Sequence, residues 1–176
     1  MRRALNAIYK GSGLLAGFFL VAIAILSLTQ IAERLLGVAS HSYDEFAGYC
    51  MAASSFLGLA WTLRSNEHIR MTLAIGRLKG GPRRAAETAC LAASAAICGF
   101  FAWASVKMVW TSHTLNDVSQ GLVPVKLWMP QSGMALGLVI LLVAIIDDLW
   151  TLLAGGTTSF AAAEASKAPD APAFER

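Results

Sequence analysis

Four stretches of the chain run almost without charge: from about Gly11 to Gln30, Asp44 to Leu63, Ala85 to Val106 and Trp128 to Ile146. A bilayer core about 30 Å thick is crossed by about 20 apolar helical residues at about 1.5 Å each. Each stretch therefore predicts a spanning helix, and the chain reads as an all-α integral membrane protein with four transmembrane helices. Glu87 lies one turn inside the third stretch. The fourth stops at Asp147-Asp148, with Leu149 to Ala154 as an interfacial continuation. Arg2-Arg3 precede the first stretch as they would a secretory signal. Its apolar run is too long for a signal, however, and no small-x-small site follows before Glu33-Arg34, so it is read as an uncleaved span.

Between the second and third stretches the pattern changes period. Met71, Ala74, Ile75 and Leu78 fall at i, i+3, i+4 and i+7, with Glu67, His68, Arg70, Arg77 and Lys79 at other positions. This predicts an amphipathic helix over about residues 66–79, lying in the membrane interface with its apolar face down. Arg70, Arg77 and Lys79 would pair with anionic lipid, each contributing about 1 kcal/mol. Gly80-Gly81-Pro82 ends that helix and restarts the chain. Residues 1–154 read as one membrane domain. Residues 155–176, rich in Ala, Ser, Thr and Pro, read as a mobile cytoplasmic tail.

Basic residues then set the expected orientation. Eleven of the 14 Lys and Arg lie at the termini or in the second connection; Arg34, Lys107 and Lys126 are the other three. The positive-inside rule predicts both termini in the cytoplasm. Ser42-Tyr43-Asp44-Glu45 resembles a capping box at the start of the second span, and its two acids suit the positive end of the helix dipole. On the outer surface, Asp44 and Glu45 are also candidate partner contacts. The connection from Thr111 to Met129 is long and partly apolar, and is expected to dip into the interface or dock on protein.

Small residues supply the expected packing faces: Gly13 with Gly17, Gly58, Gly133 with Gly137, and an Ala-rich run from Ala85 to Ala96. They let helix backbones approach where lipid removes the usual hydrophobic drive. Such a face suits packing within the chain or against another subunit. Trp61, Trp103, Trp110, Trp128 and Trp150 fall near span ends, as an aromatic belt requires.

Composition agrees: 56% of residues are hydrophobic and 14% charged, with mean hydropathy +0.58. Soluble domains carry about 25% charge, so a soluble enzyme and a nucleic-acid-binding domain are excluded, the net charge of only +3 giving no basic field. Cys50, Cys90 and Cys98 are odd in number and sit among apolar residues, as small buried hydrophobes rather than a disulfide or metal framework. Catalysis or ion translocation would place ionisable groups deep in the spans, and these are nearly clean. His41, His68 and His113 lie outside them and form no haem-ligating pair. No cofactor or metal is expected, and the chain reads as a supporting subunit. A membrane anchor of a quinone- or haem-linked redox complex, or a small channel or exporter, stays open as an alternative.

The run Asp44-Glu45-Phe46-Ala47-Gly48-Tyr49, then Phe56-Leu57-Gly58-Leu59-Ala60-Trp61, then Glu67-His68-Ile69-Arg70, resembles the small membrane subunit of tripartite ATP-independent periplasmic (TRAP) transporters. Pro124, Trp128, Pro130 and Gly133 are similar to that family's third loop and fourth span, so the resemblance covers roughly residues 8–153. One departure stands out. The family usually follows the Glu-His-Ile-Arg signature with Val-Asp, whereas Met71-Thr72 follow here, so no role of that acid carries over. The resemblance implies a bacterial inner-membrane machine. In it a periplasmic receptor delivers an organic anion, often a carboxylate, to a large sodium-driven permease subunit. The small subunit scaffolds the large one and helps dock the receptor. It implies that Glu67, His68 and Arg70 order the inner connection or contact the large subunit or lipid, and that Asp44 and Glu45 lie near the receptor.

Overall fold

A computed structural model describes residues 2–38, 43–64, 81–121 and 123–154. The expected interfacial helix, with Glu67, His68, Arg70, Arg77 and Lys79, lies outside the described residues, as does the tail from residue 155. Four helices make up the described fold: α1 (Arg2–Leu35), α2 (Tyr43–Arg64), α3 (Gly81–Thr114) and α4 (Trp128–Leu153). All four are long and apolar enough to cross a membrane, over Leu5–Leu35, Tyr43–Leu63, Arg83–Thr114 and Trp128–Leu153. The one β-bridge among the described residues, Val118 with Lys126, belongs to the α3–α4 loop.

The helices outrun the apolar stretches that predict them. At about 1.5 Å per residue, the 34 residues of α1 and of α3 reach farther than a bilayer core requires. Main-chain chemistry rather than hydropathy stops them. In α1, Val38 N–H bonds Glu33 C=O at 3.1 Å and Gly37 N–H bonds Arg34 C=O at 3.3 Å, with Gly37 at φ +67°. This is a Schellman end, which needs a residue that tolerates the left-handed region. In α3 the same pair recurs as Asp117 to Ser112 and Asn116 to His113, with Asn116 at φ 52°. Asparagine is the side chain that accepts this conformation most readily after glycine. Pro130 falls in the first turn of α4, where its missing N–H has no intrahelical acceptor to lose.

Packing follows the order α1–α2–α4–α3. α1 lies along α2, α2 along α4 and α4 along α3, while α1 and α4 barely touch. The closest approach is at Gly137, where an added Cβ would stand 2.5 Å from the Phe56 carbonyl carbon and 2.7 Å from Leu57 N. One turn earlier, a Cβ on Gly133 would meet the Ala53 methyl at 3.0 Å. Ser54 donates to the Ala16 carbonyl at 2.9 Å, a buried bond between α2 and α1. Gly13 faces the Trp61 ring, with Cγ 2.9 Å from an added Cβ, and Gly58 faces Ala16. Gly17 has open space around it. Two apolar cores result. Ala16, Ala53 and Leu57 join α1 to α2, and Leu91, Cys98, Ala102, Leu138 and Ile145 join α3 to α4.

Candidate functional site: the loop end of the helix row

The α1–α2 and α3–α4 connections meet at one end of the row, where most of the polar chemistry outside the helix interiors collects. At the mouth of the first connection, the Tyr43 hydroxyl donates to Glu33 Oε1 at 2.7 Å and ties the two helix ends together. The two acids at the start of α2 then diverge. Asp44 is exposed and lines a shallow cleft of about 270 Å³ with Ser27, Gln30, Ile31 and Arg34. Glu45 is half-buried: Tyr49, one turn on, donates to its Oε1 at 2.6 Å. Its carboxylate also lies against Gly121 of the α3–α4 connection, closely enough that a Cβ there would overlap it. The capping-box expectation thus divides. Ser42 lies outside the described residues, and the Glu45 carboxylate is engaged along α2 and across to the α3–α4 loop.

That loop is a compact hairpin. Ser119 N–H bonds Val125 C=O at 2.8 Å, Leu127 N–H bonds Asp117 C=O at 3.0 Å, and the buried Ser119 hydroxyl accepts from Val125 N–H at 3.3 Å. The Ser119 hydroxyl in turn donates to Val123 C=O at 3.3 Å. The loop docks on protein, one of the two outcomes its partly apolar sequence predicts. Leu115, Val118 and Val123 remain exposed along it.

Along α3, three charged side chains bear on the span. Arg83 Nε pairs with Glu87 Oε1 at 2.9 Å, four residues apart, so the acid inside the third apolar stretch has its counter-ion one turn below. Lys107, which hydropathy places just beyond the third span, lies two turns inside α3 with its ammonium 5.3 Å from the Trp103 ring centre. An apolar cleft of about 460 Å³ opens between α3 and α4, with Trp110, His113 and Trp128 among its walls. The Ala-rich run of α3 turns away from α4: Ala85, Ala89, Ala92, Ala93 and Ala96 are exposed.

At the opposite end, two buried polar residues escape a hydropathy reading. Asp148 is 2% exposed and Tyr9 is 1% exposed, and each is engaged by neighbouring groups. The signal for Asp148 is periodicity: Leu138, Leu141, Ile145, Asp148 and Leu152 recur at alternate steps of three and four, along the face that packs on α3. Ending the span at Asp147-Asp148 hides that register. Among the described residues no group of His, Cys, Asp and Glu is arranged to hold a metal ion. Cys98 is buried, with its sulfur 3.8 Å from the Leu138 carbonyl oxygen.

The described residues thus hold four helices long and apolar enough to cross a membrane and a packed loop end. The chain matches the family of tripartite ATP-independent periplasmic transporters, DctQ component, over residues 23–155, and it belongs to that family. It is the small component of such a transporter, a family of transport proteins. No curated protein matches the chain.

Proposed function

We propose that the chain scaffolds the large, sodium-coupled permease subunit in the bacterial inner membrane and helps dock the periplasmic receptor that delivers an organic anion, a carboxylate by class. Membership of the DctQ family, with four helices long and apolar enough to cross a membrane, carries this reading. Both termini then lie in the cytoplasm, and the loop end faces the periplasm. Residues 66–79 lie along the inner membrane surface, with Arg70, Arg77 and Lys79 on lipid headgroups and Glu67 and His68 ordering the connection or touching the large subunit. Exposed Asp44 is a receptor-facing charge; Glu45 works within the chain. Gly13, Gly58, Gly133 and Gly137 hold the row together. The uncovered Ala face of α3 takes a helix of the large subunit, because small side chains let a neighbouring backbone approach closely.

Reconstitution tests the reading. A tag on this chain should bring down the large subunit from detergent extracts. Proteoliposomes holding both should take up solute only with a sodium gradient and added receptor. Asp44→Lys should raise the receptor concentration needed for half-maximal uptake without loosening the complex. A chain that purifies alone, with uptake by the large subunit unaffected by its removal, would sink the proposal.

A further inference from the structure

We propose that Glu45 and Tyr49 are positioning residues, a latch that seats the α3–α4 hairpin on α2 and so sets the shape of the receptor-facing surface; the second half of this inference rests on the docking role proposed above. Three independent features converge on the latch. Tyr49 donates to one carboxylate oxygen of Glu45 from one turn along α2 and so holds that carboxylate in place. The Glu45 carboxylate rests on the Gly121 backbone, where an added Cβ would push it aside. Among the described residues the hairpin's own ties are one β-bridge, Val118 with Lys126, and the bonds centred on Ser119, while Leu115, Val118 and Val123 are exposed. A two-stranded turn of this size is marginal on its own. Its conformation therefore depends on what α2 supplies.

The arrangement also joins the two halves of the row. α2 is tied to α1 by Tyr43 and Glu33, and to the α3–α4 hairpin by Glu45 and Tyr49. One and a half turns of α2 thus register both outer connections against each other. Gly121→Ala should open the latch from the loop side, and Glu45→Ala or Tyr49→Phe from the helix side.

The test uses the complete transporter in nanodiscs, with two readouts. Hydrogen exchange at the amides of Ser119, Val125 and Leu127 should quicken about tenfold in Glu45→Ala and in Gly121→Ala, the factor expected from losing about one hydrogen bond. Tyr49→Phe, which keeps the ring, should show the same direction even if Glu45→Ala assembles poorly. The Glu45→Ala/Gly121→Ala double variant should exchange no faster than either single variant, because both open the same contact. In proteoliposomes the half-saturating receptor concentration should rise several-fold while the maximal uptake rate holds. Unchanged exchange in all three variants overturns the latch. Faster exchange with an unchanged receptor requirement overturns the positioning role. Wild-type uptake that ignores added receptor would instead refute the docking function, and exchange alone would still decide the latch.

Discussion

Whether a glycine matters here depends on what stands opposite it, not on the motif that contains it. Gly13 and Gly17 form one small-xxx-small pair, yet only Gly13 meets a neighbour, the Trp61 ring; Gly17 borders open space. Gly133 and Gly137 both face α2, and at Gly137 the neighbour is backbone, which cannot swing aside. Gly137→Val should therefore destabilise the detergent-solubilised chain by about 1–3 kcal/mol, the usual cost of overpacking. Gly17→Ala should be neutral or mildly stabilising, since alanine improves a helix interior by up to about 1 kcal/mol. Thermal unfolding followed by tryptophan fluorescence separates the two, and equal effects would contradict the packing described. Ser54→Ala removes a buried side-chain bond between α2 and α1. Bonds of this kind between spans are worth about 0.6 kcal/mol on average, so a small drop in melting temperature is expected there.

At the scale of the element, the four apolar stretches locate the four helices because length and hydropathy alone decide what can cross a membrane. Their ends are another matter. α3 continues beyond Lys107 to Thr114 and α4 continues beyond Asp148 to Leu153, since a charge does not end a helix when its stem can lie on an aromatic ring or its head can be engaged by neighbours. The dual use of Glu45 was equally hidden. Its spacing from Ser42 signals a helix cap, whereas its contact with Gly121 crosses 76 positions that no local pattern can bridge. The small residues of α3 announce close packing without saying against which partner. The structure divides them, with Ala102 buried against α4 and Ala93 exposed. In the isolated chain, Ala102→Leu should cost about 1–3 kcal/mol by overpacking, and Ala93→Leu should stay within about 0.5 kcal/mol. On the proposed assembly, Ala93→Leu should instead weaken recovery of the large subunit in a tag pull-down.

For the whole molecule, orientation is the first thing to establish. With Cys50, Cys90 and Cys98 replaced by alanine, a single cysteine at Asp44 should react with a membrane-impermeant maleimide added outside intact spheroplasts. One placed at Asn66 should react only after the membrane is opened. The reverse pattern would invert the proposed topology, and with it the assignment of the loop end to the receptor.

The order α1–α2–α4–α3 has one more implication. A path for a charged solute needs walls on every side, so that lipid never touches the cargo. Helices packed in an open sequence, each meeting its neighbour along one edge, enclose nothing between them. Among the described residues such a row is a partition: it has two broad flanks and no lumen. The described clefts sit on its flanks and at its rim. A conduit with this chain as part of it must be completed by protein laid against one flank, leaving the other to the lipid.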